Sequence, residues 1–219
     1  MLPFSTEQFF QVFAAYNAAI WPAQILAYGL GLLAMAGAVR PGLVSDRVAS
    51  ASLASMWLLT GVAYHWLHFA RVNPVAVVFA ATFVLQAGVL VYAGFRGCLR
   101  FRIVPGLRAS IGIGLILYAA LLYPVMGLLL HGYPEAPLFG VTPCSLTIFT
   151  LGCLLTTQRP TPWWVLTVPV LWSSIGGSAA ILLGVPQDWV LLASGVVVTV
   201  LEARAPAGLD ADRAAREVR

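Results

Sequence analysis

The chain of 219 residues contains no lysine; all twelve of its basic residues are arginine. That excludes a lysine Schiff base, and so a retinal protein, together with any lysine nucleophile. Acidic residues number eight, and none are paired within an apolar stretch. Intramembrane acid–base hydrolysis and the carboxylate relay of a conventional proton-coupled carrier therefore have few groups to use. The sequence has no GxSxG, HExxH, HxxxH or CxxC, which removes the nucleophile elbow and the common zinc and dithiol motifs. The chain is expected not to be an enzyme. Cysteine occurs three times, and an odd count argues against a disulfide framework. Cys144 and Cys153 would lie about 13 Å apart along one helix, beyond disulfide reach.

What remains is apolar. Hydrophobic residues make up 60% of the chain and charged residues 9%, against roughly 25% charged in an ordinary soluble domain. The mean hydropathy is +0.90. Apolar runs reach the ~20 residues needed to cross a hydrocarbon core. The expected fold is an all-α polytopic membrane protein with seven transmembrane helices over 17–39, 47–70, 74–95, 109–131, 138–157, 163–184 and 187–203.

The arginines orient that bundle. Arg40 and Arg47 flank the first loop, Arg96, Arg100, Arg102 and Arg108 fill the third, Arg159 lies in the fifth, and Arg204, Arg213, Arg216 and Arg219 lie in the tail. Only Arg71 falls on the opposite side. Basic loops stay cytoplasmic, so the chain is expected to be N-out and C-in, multi-pass in a bacterial inner membrane. The net charge of +4 then belongs to topology, and no nucleic-acid partner is expected. Trp21, Trp66, Trp163, Trp164 and Trp189 fall near the expected interfaces.

Three domains follow: residues 1–16, the bundle over 17–203, and a polar cytoplasmic tail over 204–219. The N-terminal region has no basic n-region and is not read as a cleavable signal. Ser5 and Gln8 are spaced as a capping box. Phe9, Phe10, Phe13 and Tyr16 give this helix an aromatic side, suited either to the outer leaflet or to packing over the bundle. Ala19, Ala23, Ala27 and Gly31 form one small-residue ridge, and Ser173, Gly176, Gly177 and Ala180 form another. Such ridges let helices approach in lipid. Pro124 and Pro169 each remove a helical hydrogen bond. Pro143 is either the first turn of the fifth helix or a break within it.

The groups able to do chemistry share one depth. His65 and His68 lie about 9 and 4.5 Å below Arg71, and Cys144 lies about 9 Å below the start of the fifth helix. His131, Tyr64 and Asp188 belong to the same outer half, with Gln86 nearer the midplane. Tyr64, His65, His68, Gln86, His131 and Cys144 are the candidate ligand-binding residues of an outward-facing polar pocket. His65, His68, His131 and Cys144 carry the donor types that suit a soft or borderline metal such as Zn²⁺, Cu⁺ or Hg²⁺. A single b-type haem between the second helix and His131 is the weaker alternative. Against both stands plain packing: His131 interfacial, His68 reaching the headgroups, Cys144 a small buried hydrophobe.

Four stretches, FFQVFAAYNAAIWPAQ (9–24), YHWLHFARVNP (64–74), TPCSLTIFTLG (142–152) and VPVLWSSIGG (168–177), resemble a family of small bacterial multi-pass proteins with a domain of unknown function, labelled permease-like. The resemblance implies an integral inner-membrane protein and transfers no catalytic residue. Two classes of function follow. One is a transporter or a small-ligand or metal-binding protein; the other is an accessory subunit of a larger membrane complex. The lipid bilayer is the expected partner, with a second copy or a complex subunit beside it.

Overall fold

The computed structural model describes residues 3–205, and most of the expected tail, 206–219, lies outside them. Among the described residues the protein is all-helical, with no strand. Helix α1 spans Thr6–Ile20, α2 Ala23–Val39, α3 Leu43–Leu59 and α4 Ala76–Phe95. Helices α5 (Leu107–Leu117) and α6 (Tyr123–His131) form one rod, followed by α7 (Pro143–Leu155), α8 (Trp163–Leu183) and α9 (Trp189–Arg204). Three continuous rods are long and apolar enough to cross a membrane: Ala76–Phe95, Leu107–His131 and Trp163–Leu183. The bent pair α1–α2 would add a fourth.

Ser5 caps α1 as its spacing suggests: its hydroxyl accepts from the Gln8 amide at 3.2 Å, and the Gln8 side chain returns the bond at 2.9 Å. The expected domain boundary at residue 16 moves, because α1 continues to Ile20 before turning 84° into α2 at Trp21 and Pro22. Ala19 therefore leaves the ridge that Ala27 and Gly31 still form on α2. The aromatic side of α1 faces protein, with Phe13 and Tyr16 buried.

Helix α7 lies at the centre, packed by α3, α5, α8 and α9, and all thirteen of its residues are buried. At ~1.5 Å per residue it is roughly 20 Å long, shorter than a hydrocarbon core. The expected helix over 138–157 is thus corrected. Pro143 takes the first helical turn, where its missing N–H costs nothing. The preceding residues are irregular yet buried, with Ala136, Phe139 and Val141 at most 1% exposed. Helix α1 supplies the donors their carbonyls need. The Asn17 amide donates to Pro134 and Ala136 at 2.7 and 2.8 Å, and the Tyr16 hydroxyl donates to Val141 at 2.8 Å. Non-helical backbone away from water persists only where protein satisfies it.

The internal prolines are handled in the same way. Pro169 within α8 cannot donate to the carbonyl four residues back, and Gln86 Nε2 of α4 donates to that Val165 oxygen at 3.0 Å. The equivalent carbonyl for Pro124, that of Ala120, accepts the Tyr28 hydroxyl at 3.1 Å. Small residues then allow close approach. A Cβ on Gly152 of α7 would stand 2.8 Å from the Gly112 carbonyl of α5, and one on Gly177 of α8 would stand 2.6 Å from Leu192 of α9.

The arginine-rich end is a separate polar layer. The segments around 101 and 157 pair, Arg102 donating its amide to Thr156 at 2.8 Å. Buried Asp46 accepts from the Phe101 amide at 2.9 Å. Glu202 pairs with Arg108 at 2.7 Å and accepts the Thr161 amide at 3.0 Å. Trp21, Trp66, Trp163 and Trp189 are all more than half exposed, whereas Trp57 and Trp172 are buried.

Candidate functional site

Two helical rods carry π-helical stretches, Thr60–His68 after α3 and Tyr118–Leu122 between α5 and α6. A π-turn inserts a residue and re-aims the side chains around it, a device frequent at functional sites. The first stretch presents Tyr64, His65 and His68. The second presents Tyr118, whose hydroxyl donates to the Gln187 carbonyl at 2.7 Å, and it leads into Tyr123. Both therefore serve the arginine-poor end of the bundle, where α8 turns into α9 through Pro186–Asp188.

At that end lies a cavity of about 240 Å³. Phe4, Phe9 and Phe13 of the N-terminal region form one wall. Phe69, Phe79 and Trp172 form another, and Gly176, Ala179 and Leu183 of α8 form a third. Tyr64, Asn73, Cys144, Ser178 and Asp188 are its polar members. Asp188 sits in the α8–α9 turn, only 4% exposed, and its carboxylate takes hydrogen bonds from the Tyr123 hydroxyl and the Cys144 thiol. Its Oδ1 has no protein partner, and the Trp172 side chain hydrogen-bonds the same thiol. Mostly apolar walls with a few convergent polar groups are the usual build of a small-molecule pocket.

The candidate residues separate on this map. Tyr64 and Cys144 line the cavity. His65 is completely buried behind it in an aromatic box, with ring centroids 4.5 Å from Phe83, 5.0 Å from Trp172 and 5.1 Å from Tyr64. Neither of its nitrogens has a conventional hydrogen bond; its neighbours offer edge-to-face ring contacts instead. His68 Nδ1 donates to the Ala63 carbonyl at 2.7 Å, which places a proton on that nitrogen. His131 stacks on Phe10 at 4.0 Å. Gln86 is spent on the carbonyl that Pro169 frees.

The proposed metal set of His65, His68, His131 and Cys144 does not come together. Among the described residues no three side chains of His, Cys, Asp or Glu are placed to hold an ion. Depth along separate helices put these residues at one level, but azimuth decides contact. All three cysteines are unpaired, with Cys98 exposed and Cys144 and Cys153 buried. Sequence reasoning placed Asp188 in the outer half without a role, and it missed Trp172 and Tyr123. One signal was available: Trp172 lies in mid-helix, away from the interfaces where membrane tryptophans gather.

These features define an all-helical protein with membrane-length apolar helices and a lined cavity at its arginine-poor end. The chain belongs to the DUF6064 family, a family of unknown function, whose sequence profile matches residues 6–207. No curated protein and no solved structure matches it.

Proposed function

We propose that the protein is a seven-span integral membrane protein of a bacterial inner membrane, N-terminus outside, that binds a small ligand in its outer-half cavity as a carrier or binding protein. The spans are α2, α3 with its π-helical extension, α4, the α5–α6 rod, α7, α8 and α9. The observation that carries the ligand reading is the cavity itself: about 240 Å³, apolar on most sides, with Asp188, Cys144 and Tyr64 among its walls. The orientation rests on the arginines, which cluster at one end apart from Arg71. Outward-facing Leu129, Leu32 and Val78 are 81%, 69% and 59% exposed, as contact with lipid requires. Short buried α7 with its irregular lead-in also suits a carrier, in which non-helical backbone gathers beside the binding site.

Two experiments test this. On a cysteine-free background, a membrane-impermeant maleimide should label Glu135→Cys and not Val104→Cys; the reverse pattern overturns the orientation. Solvent extraction of the purified protein should release a small molecule that is missing from Ala179→Trp, whose side chain would fill the cavity. If wild type yields only lipid and is stable only with another subunit, the accessory-subunit reading replaces the carrier.

A further inference from the structure

The cavity wall is built of aromatic rings around one carboxylate. Phe4, Phe9, Phe13, Phe69, Phe79 and Trp172 line it, with Tyr64 beside them. Neighbours in this set pack edge to face: Phe9 on Phe13 at 79°, Phe4 on Phe69 at 74° and Phe79 on Trp172 at 75°. Rings held nearly at right angles enclose a space as the sides of a box do. The face of an aromatic ring is its negative pole, and aromatic boxes are the usual receptors of quaternary ammonium groups. Asp188 adds a full charge. It sits in the turn between α8 and α9, outside the spans and 4% exposed, and among the described residues no cationic side chain pairs with it. Its partners are neutral: the Tyr123 hydroxyl and the Cys144 thiol, itself bonded to Trp172. Burial raises the carboxyl to about 6, so it is ionised at neutral pH. Buried charges are normally paired. None of the described residues lining the cavity is basic, so the countercharge is left to a ligand.

The same surroundings decide the kind of cation. A primary ammonium brings three N–H donors that each need an acceptor. The wall has few to give. Asp188 Oδ1 is sealed from the cavity, the Asn73 side-chain oxygen accepts from the Val75 amide at 3.2 Å, and the Ser178 hydroxyl is taken by the Ser174 carbonyl at 2.7 Å. The carboxylate therefore acts through its field, which is strong in a dry site, and not through a hydrogen bond. A quaternary ammonium has no donor to satisfy. An apolar cavity of about 150 Å³ holds benzene, so about 240 Å³ takes a trimethylammonium head with a short arm. At the rim, Ile175 and Leu182 of α8 are 47% and 73% exposed, and Phe4 and Phe9 are half-buried. The cavity thus opens between the N-terminal region and α8, where a free cation or a lipid headgroup can reach it.

We propose that the cavity binds a quaternary ammonium group, held by its aromatic walls and by the Asp188 carboxylate. This rests on the ligand-binding reading above. The test uses the full chain in phosphatidylglycerol nanodiscs, with empty discs as the blank. Calorimetry compares three probes: choline, its uncharged carbon isostere 3,3-dimethylbutanol, and ethanolamine. Choline should bind tightest, with the isostere and ethanolamine each about tenfold or more weaker. Asp188→Asn should cost choline about tenfold and leave the isostere unchanged. Phe9→Leu, at a half-buried position on the rim, should cost choline several-fold, again with no effect on the isostere. Equal affinity for the isostere, or tighter binding of ethanolamine, overturns the quaternary-ammonium assignment and leaves the cavity as a binding site; both comparisons use the wild-type chain. Unchanged choline affinity in Asp188→Asn overturns the role of the carboxylate. Phosphatidylcholine discs then separate two sources that both support the site: a lowered choline affinity marks a lipid headgroup, and an unchanged one marks a free cation. Failure of all three probes overturns this inference alone if extraction yields a native ligand without a quaternary ammonium, and both readings if it yields none.

Discussion

Gln86 and Pro169 should be energetically coupled although they sit on different helices. Pro169 has no N–H, so the Val165 carbonyl depends on Gln86 Nε2 at 3.0 Å, deep between α4 and α8. Gln86→Leu keeps the volume and removes the donor. A buried carbonyl left unmet costs about 1–3 kcal/mol, while hydrogen bonds between membrane helices average about 0.6 and reach about 1.7 kcal/mol. Gln86 Oε1 is itself without a protein partner, so its removal offsets part of the loss. A net cost of about 1–2 kcal/mol is expected, or roughly 2–8 °C in Tm for a chain of this size. In a Pro169→Ala background, the restored amide can donate to Val165 within the helix. There, Gln86→Leu should cost less than about 0.5 kcal/mol. The assay is thermal unfolding in mild detergent, followed by circular dichroism across the four-member cycle. Equal costs in both backgrounds would refute the pairing of a proline with a neighbour's amide.

Other consequences are equally direct. Asn17→Ala leaves two carbonyls of the irregular segment unmet, one buried and one part-buried, and should lower stability by about 1–3 kcal/mol, whereas Gln11→Ala, on the exposed side of α1, should stay within about 0.5 kcal/mol; matching melting curves would disprove the clamp. Glu202→Ala removes the ion pair with Arg108 and the acceptor of the Thr161 amide and should cost about 1–3 kcal/mol; in an Arg108→Ala background only the ion-pair share should vanish, as chemical denaturation of the four variants can show. Gly152→Ala should push α5 from α7 and cost about 1–3 kcal/mol; a melting point equal to wild type would contradict the 2.8 Å approach. Thiol titration of the folded protein should find one fast group, Cys98, with Cys144 and Cys153 reacting only after denaturation.

The helical class, the approximate ends of most rods, the capping box at Ser5 and the exposed tryptophans were legible from the sequence alone. They depend on local quantities: the length of apolar runs, the positions of proline and glycine, and the placement of charge along the chain. The depth assigned to Cys144 assumed a helix from Leu138, whereas α7 begins at Pro143 and puts Cys144 in its first turn. Which side chains meet is not local. It depends on how each rod rotates about its axis, and two π-helical stretches change that rotation in places that composition does not mark. So His68 and His131 end on a carbonyl and a phenylalanine ring, and Gln86 ends beneath a proline of another helix. Asp188, Cys144 and Trp172, from a turn and two helices, gather at one cavity. Only the tertiary structure decided that α1 lies against the bundle, because the carbonyls it satisfies belong to residues more than a hundred positions away.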